Sequence, residues 1–124
     1  MYEQPKRRRL TKHERQEVYE KCGGHCAYCG CEIKLRQMQV DHVQPISFRG
    51  KDELSNMLPA CRSCNNYKHS MTLETFRCVA ERWHDNILRD SAAYRIAVRF
   101  GRITAKDGPV QFYFEKCGQT YDGS

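Results

Sequence analysis

The chain has 124 residues, eight cysteines, a hydrophobic share of 40% and a net charge of +6. That length suits a single domain, and an apolar share this modest calls for a staple besides the core. No apolar run follows the basic segment Pro5–Leu10, and no stretch is long and apolar enough to span a membrane. The reading is therefore a cytoplasmic protein with no membrane span, whose paired cysteines bind metal, with disulfides or unrelated buried cysteines as the lesser alternative.

The charge is unevenly placed. Residues 1–70 carry 13 Lys and Arg against 8 Asp and Glu, whereas residues 71–124 carry 8 against 7. A polyanion would exploit such a bias through phosphate neutralisation. Residues 1–10 read as a flexible basic arm, with Lys6, Arg7, Arg8 and Arg9 as candidate phosphate contacts.

Thr11 followed by Glu14 fits a capping box, and a first helix is expected from Thr11 to Cys22, with Leu10, Val18 and Cys22 inward. Gly23 and Gly24 end it. A knuckle at Cys26–Gly30 follows, then an alternating strand over Gln39–Val43 and a loop from Pro45 to Ser55. Asn56–Cys61 is a second extended piece, with Pro59 marking an edge, and Asn65–His69 a short helix.

Farther along, Phe76, Val79, Ala80, Trp83 and Ile87 recur at helical spacing. They predict one amphipathic helix over Thr72–Leu88 whose stripe is core. Ser91 is placed to cap another helix reaching Arg99 and closed by Gly101, although Ile96–Phe100 also alternates like a strand. Val110–Glu115 reads as a terminal strand.

Cys26-x-x-Cys29 and Cys61-x-x-Cys64 are the strongest structural signal. Two such turns can present four thiolates to one tetrahedral Zn²⁺, closing its coordination sphere and making it a structural ion. Cys22 and Cys31 lie close enough to compete, but only Cys26 and Cys29 keep the two-residue spacer of the second pair. Cys78 and Cys117 read as packing residues or free thiols, and His13, His25 and His84 as ordinary residues.

Between and just after the pairs stand Asp41-His42, Asn56 and Asn65, followed by Lys68. Together with the cysteines, this order over residues 10 to 76 resembles the HNH endonucleases of the zinc-ribbon subtype. The resemblance implies an α+β fold: a small ββα-metal core stapled by the four-cysteine zinc site, flanked by an N-terminal helix and C-terminal helices. It divides the chain into the arm (1–10), a nuclease core (11–76) and a C-terminal helical extension packed on the same domain (77–124).

The resemblance also implies roles. Asp41 and Asn65 would hold a catalytic divalent ion, His42 would be the general base toward water, and Asn56 would brace the loop between the strands. Such an oxygen-rich ligand set suits Mg²⁺ or Mn²⁺. Asn65 stands where many members have His, and His69, four residues on along the same helical face, is an additional candidate ligand. Lys68 is a candidate phosphate contact.

The expected activity is metal-dependent hydrolysis of phosphodiester bonds, by an endonuclease or nickase acting on double-stranded DNA in a bacterial or phage-infected cell. The alternatives are a non-catalytic zinc-ribbon module that binds nucleic acid or protein, and a nuclease subunit of a phage packaging, restriction or defence complex. In the latter, the C-terminal extension would dock a protein partner.

Overall fold

The computed structural model describes residues 9–121, so Lys6, Arg7 and Arg8 of the expected basic arm lie outside the described residues. The architecture is α+β: six helices and one two-stranded antiparallel sheet among the described residues. None of these helices is long and apolar enough to cross a membrane.

Helix α1 (Lys12–Glu20) begins at the expected capping box. Glu14 N–H donates to Thr11 Oγ1 at 3.1 Å, and Thr11 N–H donates to Glu14 Oε1 at 3.0 Å, so two otherwise orphaned amides are satisfied. Its inward Val18 joins Ile33, Met38 and Met57 in one apolar cluster. Strands β1 (Gln39–His42) and β2 (Met57–Ala60) pair with Asp41 opposite Leu58 and His42 opposite Met57. Pro59 lacks an amide to extend the sheet outward, and its carbonyl accepts instead from Ala27 N–H at 2.8 Å, which fastens the first cysteine knuckle to β2.

Helix α2 (Arg62–Lys68) follows β2 directly, with Cys61 as N-cap and its sulfur accepting from Cys64 N–H. It packs across β1. The strand–loop–strand–helix unit is thus the ββα arrangement expected from the motif.

Contacts divide the described residues into two units: those through Leu73 together with those from Gln111 on, and Glu74–Val110. The extension expected as one piece over 77–124 is therefore shared between them. Residues 111–121 return to the first unit, where Phe112 and Phe114 set their edges against the Tyr28 ring at 5.3 and 6.2 Å.

The terminal strand expected over Val110–Glu115 does not form. Tyr113–Lys116 is a short helix, α6, because Glu115 reaches back to cap Phe112 N–H at 2.9 Å. The amides of Tyr113 and Phe114 bond the carbonyls of Tyr28 and Ala27, not a sheet edge.

In the second unit, the helix expected as continuous to Leu88 is two. Helix α3 (Leu73–Glu81) closes with a tight turn in which Arg82 N–H bonds Val79 O, and α4 (Trp83–Asp90) starts afresh. Phe76 is buried, Val79 and Ala80 are half-buried, and Trp83 and Ile87 stay 37% and 44% exposed, so of the stripe only Phe76 is core. Ser91 caps α5 (Ala92–Arg99) as expected, through Tyr94 N–H at 3.1 Å, and Gly101 closes it in the left-handed region. The alternation at Ile96–Phe100 is helical.

Candidate active site

Strand geometry sends neighbouring side chains to opposite faces, and Asp41 and His42 follow it. Asp41 is 4% exposed. Its carboxylate accepts a short hydrogen bond from the Tyr28 hydroxyl and pairs with Lys68 Nζ, 3.1 Å from Oδ2 and 3.4 Å from Oδ1. Burial pushes the Asp41 carboxyl above its ordinary range, against the opposing pull of Lys68 and of the Tyr28 hydroxyl.

Lys68, expected on a phosphate, is instead fully buried, with its remaining donors on the carbonyls of His42 at 3.3 Å and Val43 at 3.2 Å. Its ammonium turns inward because α2 lies across β1 and the three acceptors converge beneath it.

His42 ends β1 and turns the other way. Its Nε2 lies 2.8 Å from Asp52 Oδ1, in the loop between the strands. Because His42 is the last residue of the strand and α2 packs beside it, both members of the pair still border one cleft of about 420 Å³. Asn65 and His69 border the same cleft. A carboxylate and an amide are hard oxygen donors and an imidazole a borderline nitrogen donor, and bordering one cleft they could together hold a divalent cation. Of the carboxylate oxygens, Oδ1 is the less engaged and retains lone pairs for it.

Asn56 is buried and does not border the cleft. Its Oδ1 accepts from Gln44 N–H at 2.9 Å, and its Nδ2 donates to Gln44 O at 2.9 Å and Lys51 O at 2.8 Å. One amide thereby ties both ends of the loop that carries Asp52. Gly50 lies within this strap, where a Cβ would stand 1.8 Å from Gln44 O, so no side chain fits.

Among the described residues, Cys26, Cys29, Cys61 and Cys64 bring their sulfurs within 4.8 Å of one another. Cys29 and Cys61 Sγ are 3.9 Å apart. A tetrahedral ion with metal–sulfur bonds of about 2.3 Å sets sulfurs about 3.8 Å apart, so the donors and spacing fit a thiophilic cation. Amides of Tyr28 and Cys64 point at the sulfurs of Cys26 and Cys61, both at 3.4 Å. A hydrogen bond from Cys64 holds the Cys26 thiol down to about 4, while the same bond pushes Cys64 up.

Four crowded sulfurs cannot all ionise without a compensating cation. Cys22 and Cys31 are not among the four, although the Cys31 thiol lies against those of Cys29 and Cys61, and burial together with these two thiols pushes it up. In the second unit, His84 pairs with Asp107 at 2.5 Å and Asp85 at 3.5 Å, both carboxylates exposed.

Sequence reasoning missed Tyr28, Asp52 and the inward role of Lys68. Tyr28 sits between two knuckle cysteines, where a partner for Asp41 has no local signature. Asp52 lies in a charged loop that reads as solvated.

A ββα unit with a four-cysteine staple and an Asp-His pair at a strand end defines a small metal-binding nuclease-like module. Residues 26–71 match the family model described as HNH endonuclease, and the cysteine cluster fits a zinc-binding subtype of that family. The chain is also similar to YoqL, a protein of the SPbeta prophage of Bacillus subtilis (strain 168) whose name describes it as an HNH endonuclease. The two are 31% identical over 77 residues, covering 56% of this chain and 34% of that protein. The chain thus spans about a third of the length of the curated relative it matches. The crystal structure of the Type II-C Cas9 enzyme from Actinomyces naeslundii is similar at a TM-score of 0.47 and 28% identity, over 52% of this chain and 7% of that one.

Proposed function

We propose that this chain is an endonuclease or nickase that hydrolyses phosphodiester bonds of DNA. The observation that carries this reading is the convergence of Asp41, His42, Asn65 and His69 on one cleft, within a segment that matches the HNH family model. His42 is the general base: its ring takes a proton from the water that attacks phosphorus, a task suited to an imidazole near neutral pH. As the P–O3′ bond breaks, the leaving oxygen takes a proton from solvent water, giving a 5′-phosphate and a 3′-hydroxyl.

Asp41 and Asn65 hold a Mg²⁺ or Mn²⁺ ion, with His69 as an additional ligand. That ion supplies positive charge against the phosphate oxygens as negative charge builds on them. Tyr28 and Lys68 fix the Asp41 carboxylate, so the ligand meets the ion without having to be ordered first. Asn56 holds the loop beside the base. The cysteine quartet binds zinc as a structural ion, since four thiolates leave no position for water.

The net charge of +6 favours a polyanion, which we take to be double-stranded DNA by analogy with the family, with Lys6, Arg7, Arg8 and the exposed Arg9 on backbone phosphates. A plasmid-nicking assay across Mg²⁺, Mn²⁺ and Ni²⁺ tests the reading. Native chain should relax supercoiled DNA and His42→Ala should not. Supercoiled plasmid left intact by the native chain with every ion rejects it.

A further inference from the structure

A histidine serves as a base only through a nitrogen that carries no proton, and which nitrogen that is depends on the partner of the other. His42 borders two clefts. One is shared with Asp41, Asn65 and His69, and the other, of about 350 Å³, with Asp52, Arg9 and Arg15. Nε2 is committed on the second side, 2.8 Å from Asp52 Oδ1.

An ionised carboxylate only accepts hydrogen bonds, so the proton of a neutral ring bonded to it sits on Nε2, and Nδ1 is left bare. The contact is sheltered, with 13% of the His42 and 8% of the Asp52 side chain exposed, so water competes poorly for either partner. The loop is also pinned on both sides of Asp52: Asn56 Nδ2 donates to the Lys51 carbonyl before it, and Asn56 N–H donates to the Glu53 carbonyl after it at 2.9 Å.

We propose that Asp52 is a positioning residue for the general base. It fixes the His42 ring with the proton on Nε2, presents Nδ1 as the nitrogen that takes the proton from water, and balances the positive charge the ring then carries. The proposal rests on the reading of His42 as the base. Chemically the dyad moves one proton: water loses it to Nδ1, the Nε2–H bond to Asp52 stays intact, and the carboxylate remains ionised.

The test has one arm that needs no catalysis. In the zinc-loaded native chain at alkaline pH, long-range ¹H–¹⁵N correlation of the His42 ring should show Nε2–H and a bare Nδ1, with the Nε2 proton protected from exchange. Asp52→Ala should lose that protected proton. In the nicking assay its kcat should fall on the order of 10- to 10²-fold, within the reach of general-base catalysis, with KM within about twofold.

A loop residue of purely structural importance would instead lower zinc content and folded fraction and leave the ring proton unchanged. Asp52→Asn, which preserves shape, carries the same measurements if the alanine variant does not fold. A native ring protonated on Nδ1 overturns the assignment, as does a folded, zinc-loaded Asp52→Ala chain with kcat within about twofold of native. A native chain that cuts nothing sinks the nuclease reading and leaves the ring measurement to decide the role of Asp52.

Discussion

Lys68 Nζ lies 3.1 Å from Asp41 Oδ2 at the end of a side chain with no exposure to solvent. Taking both charges from water is costly, and the pair persists because the ammonium also satisfies the carbonyls of His42 and Val43, and the Tyr28 hydroxyl serves the carboxylate. Removing one partner leaves the other buried and uncompensated. Lys68→Met should destabilise the chain by about 3–5 kcal/mol. Adding Asp41→Asn should return about 1–3 kcal/mol of that loss, measured as the coupling in a urea-unfolding double-mutant cycle. A coupling near zero would mean that the ion pair does not organise this face of β1.

The cysteine quartet should tie folding to metal. Four sulfurs from Cys26, Cys29, Cys61 and Cys64 hold together segments 32 residues apart in sequence, and the binding free energy of a structural zinc is folding free energy. Cys61→Ser should lower bound zinc toward zero and abolish cooperative unfolding, as read by elemental analysis and circular dichroism. Cys78→Ser, an exposed cysteine outside the quartet, should change neither.

How much of this was readable before folding depends on whether a residue's role is local. The capping box at Thr11 and Glu14, the two knuckles and the cap at Ser91 are set by neighbours within a turn, and all stand where the spacing puts them. Lys68 has no such local determinant, since only the packing of α2 over β1 turns it inward, away from exposed Tyr67 and His69. Asp52 meets His42 across ten residues of loop, and Phe112 and Phe114 meet Tyr28 across more than eighty, so their placement rests on tertiary contacts that periodicity does not encode. The expected terminal strand failed for the same reason: Ala27 and Tyr28 present backbone carbonyls there, not a sheet edge.

Asn56 offers a sharper test of the loop between the strands. Asn56→Ala removes its bonds to the amide and carbonyl of Gln44 and to the carbonyl of Lys51, part-buried contacts worth about 0.5–1.5 kcal/mol each. Asn56→Asp keeps an acceptor for Gln44 N–H but sets a carboxylate against two carbonyl oxygens, so it should be no better tolerated in spite of its shape. Thermal melts of the two variants check this. An aspartate variant as stable as native would place the bracing role elsewhere.

Gly50 constrains the same loop from the backbone side. With a Cβ only 1.8 Å from Gln44 O, Gly50→Ala must move the strap and strain the Asn56 bonds, costing about 1–3 kcal/mol as overpacking does. Ser47→Ala, at an exposed site in the same loop, should be neutral within about 0.5 kcal/mol. Melting temperatures of the pair separate a local steric effect from general sensitivity of the loop.

His69 sets stability against function at a single position. It follows α2 with φ 49° and ψ −119°, a conformation that suits glycine and is strained for a residue with a Cβ. The imidazole borders the cleft beside Asn65, so the strain has a use if the ring helps hold the catalytic ion. His69→Gly should therefore act in opposite directions on two measurements. Without added divalent ion the variant should be more stable than native by about 1 kcal/mol, because the backbone no longer works against a side chain. In the nicking assay it should need several-fold more Mg²⁺ for half-maximal rate. A more stable variant with an unchanged Mg²⁺ requirement would remove His69 from the ligand set, and a less stable one would mean that the imidazole contributes more to packing than the backbone costs.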